Sequence, residues 1–179
     1  MAIVIGGKHF GQYTHEHWFD HEYGNNNKIE YLKIEDVKLL SIMIINIFNE
    51  FVGKDYSVEG NKTFKEYIKV ENILTRVNDK GSVFYVAKYV NELIGVLEIK
   101  NYNHISLFFT KKEFHGKGIG KSIFEKYKEE LKQKNTEIKR ITVNSSIYAE
   151  KIYSKMGFTK TEELQEKNGI KYIPMEYKI

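Results

Sequence analysis

The chain has 179 residues, of which 41% are hydrophobic, with no cysteine and a formal net charge of +4. This length suits one domain, and the lack of cysteine excludes a disulfide framework, a thiolate zinc site and a cysteine nucleophile. Arg76 and Arg140 are the only arginines and the lysines are scattered among glutamates, so the charge favours a solvated surface over a nucleic-acid patch.

Localisation follows from the apolar runs. None reaches the roughly eighteen residues that a bilayer span needs. The stretch MAIVIGG at the start is too short, and its beginning too uncharged, for a signal peptide. We therefore expect a cytoplasmic protein with no membrane partner.

Helical and extended patterns alternate along the chain after residue 28. The first half predicts a strand over 29–34, helices over 35–51 and 62–77, and strands over 82–90, 92–100 and 104–110. The second half predicts a helix over about 118–134, a strand over 138–143, a helix over 147–156 closed by Gly157, and two further strands. This order predicts an α/β fold in which a mixed sheet carries helices on both faces. The helix after Gly118 would link one parallel strand pair.

The stretch EFHGKGIGKSIF places three glycines just before a predicted helix. A phosphate-binding P-loop needs a glycine five positions before the sequence GKS, and His115 stands there. A dinucleotide fingerprint that begins at Gly116 would need its third glycine where Lys121 stands. What remains is a backbone segment that can offer N–H groups to an anion at a helix start, or a glycine-rich turn without a ligand.

In its surroundings, this stretch resembles motif A of the GNAT superfamily of acetyl-CoA-dependent N-acetyltransferases. That motif reads arginine or glutamine, two residues, glycine, any residue, then glycine or alanine. His115, Gly118 and Gly120 occupy those positions, and the strand HISLFFT precedes them as in the family. Histidine replaces the usual arginine or glutamine.

A second stretch, NSSIYAEKIYSKMGF, resembles motif B of the same family. Ala149, Tyr153, Gly157 and Phe158 have the expected spacing. The usual asparagine three residues before the alanine is Ser146 here. Asn144 lies two residues earlier. The two motifs and the element order extend the resemblance over residues 29–179.

The resemblance implies a GNAT fold with a mixed, mostly antiparallel sheet of about seven strands, four flanking helices and a splayed parallel pair formed by strands four and five. It divides the chain into a histidine-rich extension, 1–28, and an acetyltransferase domain, 29–179. It also implies acetyl-CoA as cosubstrate. Backbone groups of strand four would bond the pantetheine arm, and the glycine-rich loop would bind the pyrophosphate. The implied cofactor-binding residues are Leu107, Phe108, Phe109, His115, Gly116, Lys117, Gly118, Ile119, Gly120, Lys121, Ser122, Asn144, Ser146 and Ala149.

Amide formation needs a neutral amine to attack the thioester and a proton for the departing thiolate. By its motif position, Tyr153 is the expected general acid, although a helix tyrosine often serves only in the core. His104, which opens strand four, and Glu98, on the preceding strand, are the candidates for the general base. A purely structural role is an open alternative for both.

The N-terminal segment carries His9, His15, His17 and His21, a set that permits a divalent metal site. No partner residue that would orient such ligands can be identified, so we expect a surface extension and no metal.

The resulting hypothesis is an enzyme that acetylates a primary amine of a small molecule or a peptide. Its alternative is a non-catalytic acyl-CoA-binding regulatory module, and a nucleic-acid binder comes third. The family recognises its acceptor mainly through the first two helices, here about 35–77, where no interpretable motif occurs. The sequence therefore does not identify the acceptor amine. It also does not fix the oligomeric state, for which a homodimer is one option.

Overall fold

In the computed structural model, residues 27–134 and 137–179 are described, and they form one sheet of eight strands flanked by five α-helices. The strands are β1 (Asn27–Tyr31), β2 (Ser82–Tyr89), β3 (Glu92–Lys100), β4 (His104–Thr110), β5 (Arg140–Ser145), β6 (Thr159–Lys160), β7 (Gln165–Lys167) and β8 (Ile170–Lys178). The helices are α1 (Val37–Phe51), α2 (Val58–Tyr67), α3 (Val70–Val77), α4 (Ile119–Gln133) and α5 (Glu150–Lys155). Within these residues, no helix combines the length and apolarity needed to span a membrane.

The strand order is β1-β2-β3-β4-β5-β8-β6, and β7 pairs with β8 alone. Neighbouring strands are antiparallel except β4 and β5, which are parallel and are joined through α4. The predicted parallel pair with its helical crossover is therefore confirmed. A two-residue turn, in which Val90 and Asn91 both have positive φ, joins β2 to β3. This conformation matches the twist of a tight antiparallel hairpin.

Helices cover both faces of the sheet because each buries one apolar stripe. In α4 the buried residues recur every three or four positions, and the helix packs over β2, β3 and β4. It comes so close to β3 that a Cβ on Gly95 would lie 3.0 Å from the Ile123 side chain. α1 and α3 pack against each other on the opposite face, where their apolar stripes meet the sheet.

The N-terminus of α2 rests on the turn between β7 and β8. The Ser57 hydroxyl accepts a hydrogen bond from the Gly60 N–H (3.0 Å), and the Ser57 N–H donates to the carbonyl of Gly169 (3.1 Å). A Cβ on Gly60 would lie only 2.2 Å from that carbonyl oxygen. Gly169 itself has a φ of +72°. The contact therefore requires glycine on both sides.

Several predicted boundaries differ from the structure. The helix predicted over 62–77 is two helices, because Ile68 leaves helical geometry and Lys69 is extended, with ψ at 148°. The C-terminal part has three strands instead of two, because a left-handed turn at Asn168 and Gly169 folds β7 onto β8. The prediction of about seven strands and four helices was therefore one short in each count within the described residues. The extension over 1–28 lies outside them, apart from the start of β1.

A buried ion pair links α3 to the sheet. The Arg76 guanidinium donates through Nε to the Glu98 carboxylate at 2.7 Å, and its Nη1 donates to the carbonyls of Tyr67 and Asn72. Glu98 is fully buried in β3. Burial raises the pKa of Glu98, while the adjacent Arg76 guanidinium acts in the opposite direction. The guanidinium thus compensates a carboxylate that could not otherwise stay ionised in this place.

We predict that Arg76→Met lowers the free energy of unfolding by about 3–5 kcal/mol, because it leaves Glu98 buried without its cation. Denaturant unfolding measures the loss. The deficit should shrink as the pH falls below 7. Without the cation the folded state binds a proton on Glu98 more readily than the unfolded state does, so stability decreases with rising pH.

The matched control is Lys111→Met, which breaks the partly exposed ion pair with Glu92 and should cost less than about 1 kcal/mol. The double variant Arg76→Met with Glu98→Leu should regain much of the loss, since no unpaired charge is left buried. A loss in Arg76→Met no larger than in the control would contradict the assignment.

Candidate functional site

Strands β4 and β5 pair over two residue pairs, His104 with Thr142 and Ile105 with Val143, and then part. β4 continues to Thr110 on its own course. Its register with β3 shifts at the same point, which leaves Ser106 as an extra residue in β4. Such a bulge bends and twists a strand, so β4 turns away from β5 directly after their last pair. The result is a gap between two parallel strands that opens toward their carboxyl ends.

Hydrogen bonds hold the closed end of this gap. His104 Nδ1 and Thr142 Oγ1 lie 2.9 Å apart across the two strands. The Thr142 N–H donates to the carbonyl of Asn103 (2.8 Å), and the Asn103 side-chain amide donates to the carbonyl of Arg140 (3.0 Å). Burial lowers the pKa of His104 to about 4. The imidazole is therefore neutral near pH 7 and joins the strands without a charge.

The glycine-rich loop follows the open end of β4. Gly116 and Gly118 have φ values of +78° and +81°, and α4 begins immediately afterwards at Ile119. Apart from Gly118 and its two chain neighbours, no heavy atom of the described residues lies within 4 Å of the position that a Cβ on Gly118 would take. The loop thus leaves open space beside the first turn of α4, where helix N–H groups have no acceptor within the helix.

The other predicted loop residues have different environments. His115 Nε2 donates to the carbonyl of Thr110 (3.0 Å), which closes the loop, and burial lowers the pKa of this histidine. Ser122 and Ile119 are buried under the loop, while Gly120 is half-buried. The Lys117 and Lys121 side chains are exposed. The loop is therefore shaped by its backbone and by His115.

Three successive residues of β4, Leu107, Phe108 and Phe109, are fully buried and alternate between the two faces of the sheet. Leu107 pairs with Glu98 and Phe109 packs against Phe64 of α2, with ring centroids 6.1 Å apart. Phe108 points to the other face, where its ring lies 6.3 Å from that of Tyr153. Beyond Ile105 no residue of β4 pairs with β5 in the described chain, so this backbone edge faces the gap.

The motif B residues lie across the gap, at the end of β5 and directly after it. Asn144 is half-buried and pairs with Pro174 of β8. Ser146 is fully buried, and its hydroxyl accepts from the N–H of Ala149 at 3.2 Å. Ala149 is also fully buried and precedes α5. Ser146 therefore stabilises the turn from which α5 starts.

Tyr153 of α5 is fully buried, with its ring packed against Phe158 at a centroid distance of 5.1 Å and against Phe108 of β4. Its hydroxyl has no hydrogen-bond partner among the described residues. Burial raises the pKa of Tyr153 well above its ordinary value, so the hydroxyl stays protonated. An unpaired buried hydroxyl costs about 1–3 kcal/mol. A hydrogen-bond acceptor brought into the gap could relieve this cost.

On the face that carries α2 there is a pocket of about 290 Å³. Its lining comes from α2, the end of β3, the β3–β4 turn, β4 and the start of β8. The lining residues are Thr63, Phe64, Tyr67, Lys100, Asn101, His104, Ser106 and Ile170. The Tyr67 hydroxyl lies 2.6 Å from Ser106 Oγ and 3.2 Å from Glu98 Oε2. Of the two predicted bases, His104 therefore reaches this pocket directly and Glu98 reaches it through Tyr67.

Sequence reasoning missed the residues that bridge the two sides of the gap. The ring of Phe51, at the end of α1, lies 5.6 Å from that of His115 and 5.5 Å from that of Tyr148. Glu50 forms an ion pair with Lys112 beside it. Tyr67 and Ser106 were missed as well. Glu50, Phe51 and Tyr67 lie outside both motif stretches, whereas Tyr148 lies within the second and Ser106 in the strand before the first. Their proximity arises only from the tertiary fold.

In residues 27–134 and 137–179, no group of three or more His, Asp or Glu side chains is arranged to hold a metal ion. The N-terminal histidines, His9, His15, His17 and His21, lie outside the described residues.

Residues 52–179 match the family model for the acetyltransferase (GNAT) domain, so the chain belongs to the GNAT acetyltransferase family. No curated protein sequence matches the chain.

Solved structures show the same fold. A GCN5-related N-acetyltransferase from Rhodopseudomonas palustris aligns with a TM-score of 0.73 and 15% identity, covering 89% of this chain and 99% of the other. The PaiA N-acetyltransferase from Thermoplasma acidophilum, solved with coenzyme A, gives 0.70 at 22% identity, covering 86% and 99%. Spermidine N-acetyltransferase from Vibrio cholerae, in complex with CoA and spermine, gives 0.60 at 15%, covering 87% and 96%. The architecture described above is thus the GNAT fold.

We predict that Tyr153→Phe leaves the free energy of unfolding unchanged or raises it by up to about 1 kcal/mol, because it removes a buried hydroxyl that has no partner. The control is Tyr127→Phe, since the Tyr127 hydroxyl donates to the carbonyl of Tyr102 at 2.8 Å. That variant should lose about 0.5–1.5 kcal/mol. Denaturant unfolding without ligand measures both variants. A loss in Tyr153→Phe as large as the loss in Tyr127→Phe would show that the Tyr153 hydroxyl is hydrogen-bonded in solution.

Proposed function

We propose that this protein transfers the acetyl group of acetyl-CoA to a primary amine of a small molecule or a peptide. The observation that carries the proposal is the buried, unpartnered hydroxyl of Tyr153. Its ring contacts Phe108, on the part of β4 that has separated from β5. A proton donor is thereby held beside the gap between the strands.

The residues around the gap fit a coenzyme A thioester. The open space at Gly118, next to the first turn of α4, suits a pyrophosphate that accepts backbone N–H groups. The edge of β4 beyond Ile105 has backbone groups available for an amide-bearing chain such as pantetheine. The same backbone groups could stabilise the oxyanion that forms on the thioester carbonyl.

The reaction forms one carbon–nitrogen bond and breaks one carbon–sulfur bond. The neutral amine attacks the thioester carbonyl, and the electron pair of the broken bond goes to sulfur. Tyr153 donates its proton to that sulfur, and the nitrogen loses one proton. The two proton transfers have sites on opposite faces of the sheet, because Tyr153 lies on the Phe108 face and the pocket on the face of Leu107 and Phe109.

Two residues can receive the proton from nitrogen. His104 lines the pocket, but a pKa of about 4 makes it a weak base. Glu98 is held by Arg76 and connects to the pocket through Tyr67 and Ser106. Neither residue is basic enough to deprotonate an alkylammonium ion efficiently, because the pKa of that ion is about 10.4. The acceptor must therefore lose most of its charge before it enters the gap.

We predict that Gly118→Ala and Gly118→Asn both weaken acetyl-CoA binding, because any Cβ occupies the space assigned to the pyrophosphate. Asn tolerates positive φ better than Ala does, so equal losses in both variants would point to occupancy and not to backbone strain. Gly81→Ala is the control, since a Cβ there makes only ordinary contacts at 3.6 Å. Calorimetric titration measures affinity. Folded Gly118 variants with wild-type affinity would refute the pyrophosphate assignment.

The sharpest test of the chemistry is Tyr153→Phe, assayed for thiol release with a panel of amines. Turnover should fall roughly 10²- to 10⁴-fold while acetyl-CoA affinity changes little, because the lost interaction acts mainly in the transition state. Wild-type turnover in the variant would end the general-acid role. If the wild-type protein bound acetyl-CoA and released no thiol with any amine, a non-catalytic acyl-CoA-binding module would replace the proposed enzyme.

A further inference from the structure

The lining of the pocket carries a positive charge and no negative one. Lys100 is its only lysine or arginine, and none of its residues is an aspartate or a glutamate. The nearby carboxylate of Glu98 is buried and paired with Arg76. The wall therefore repels a ligand with several cationic groups, and it attracts an anion.

Lys100 itself is available to such an anion. It is half-buried at the end of β3, and its Nζ lies 5.7 Å from the centre of the Tyr67 ring. Across residues 27–134 and 137–179, no carboxylate lies within ion-pair distance of it. Lys100 acts to lower the pKa of Glu98 against the effect of burial, but the Glu98 oxygens are bonded to Arg76 and Tyr67. A ligand carboxylate would therefore give Lys100 an ion pair that it lacks among the described residues.

The chemistry of the gap adds an independent constraint. His104 is bonded to Thr142 and Glu98 to Arg76, so neither is a strong base toward an ammonium group. The α-amino group of a peptide has a reference pKa of about 8, against about 10.4 for a lysine-type amine. The pKa of the α-amino group in a free amino acid lies between these two values, because its own carboxylate stabilises the ammonium form. At neutral pH a larger fraction of such an α-amino group than of a lysine-type amine is therefore already the neutral nucleophile. The gap thus suits an α-amino group over a lysine-type amine, and the charge of the pocket wall is what favours the amino acid over its amide.

We infer that the acceptor is a free α-amino acid, or a small molecule built like one, whose carboxylate pairs with Lys100 while its amine enters the gap at Ser106. This inference rests on the proposed function. The pocket size agrees with a small acceptor, since about 290 Å³ lies just below the range of roughly 300–1,000 Å³ that ligand pockets span. Thr63, Asn101 and Tyr67 add polar groups to the wall that holds the carboxylate.

The first test compares wild-type thiol release from acetyl-CoA with the twenty amino acids, their α-amides and spermidine. For the best substrate, kcat/KM should be at least about tenfold higher for the acid than for its amide. The comparison is stringent because the amide has the less basic amine, so nucleophile availability alone would favour the amide. An amide as good as its acid, or a preference for spermidine, would overturn this inference and leave the acetyltransferase standing.

The second test changes the charge of the pocket. Lys100→Met should raise KM for the amino acid about tenfold or more without affecting acetyl-CoA affinity, and Lys100→Glu should favour amides over acids. Lys38→Met, an exposed position on α1, is the control and should match the wild type. Unchanged KM in a folded Lys100→Met variant would contradict the assignment. No transfer to any amine, with acetyl-CoA still bound, would overturn the proposed function together with this inference.

Discussion

The separation of β4 from β5 after Ile105 is the constraint on which the site depends. Two parallel strands in the middle of a sheet normally pair their backbone hydrogen-bonding groups along their whole length. A continuous sheet would then separate the groups on one face from those on the other. Here the extra residue Ser106 bends β4 away, and the bonds of His104 and Asn103 keep the other end closed. The sheet therefore has one opening, and the groups assigned to the two proton transfers lie on either side of it.

Two buried polar groups near this opening differ in their hydrogen bonding. Both carboxylate oxygens of Glu98 accept hydrogen bonds, one from Arg76 and the other from Tyr67. The Tyr153 hydroxyl is left without a partner in the described residues. The first arrangement stabilises α3 on β3, where a lost partner would be costly. The unpaired Tyr153 hydroxyl lowers stability at a position where a bound group could accept its hydrogen bond, as is common at functional sites.

Sequence patterns predicted the features that depend on local order. The helix start after Gly118 is indicated by neighbouring residues in the sequence, and the β4–α4–β5 crossover follows from the order of elements. The break at Ile68 was missed because an apolar period continues through it and only the backbone angles change. The partners Arg76 and Glu98, Tyr67 and Ser106, and Phe51 and His115 are separated by 22, 39 and 64 positions. No local pattern specifies such pairs, so the pocket could not be predicted, and the roles of His104 and Glu98 as bases stay predictions.

The contact between Gly60 and Gly169 determines how this pocket can change over evolution. Its opposite walls, α2 and the start of β8, are kept at a fixed separation by main chain against main chain, because neither position has room for a side chain. The frame is therefore independent of the residues that face the ligand. Relatives could exchange Thr63, Tyr67 or Ile170, and so acquire a different acceptor, without altering the spacing of the walls, whereas a change at either glycine would shift both walls whatever the acceptor.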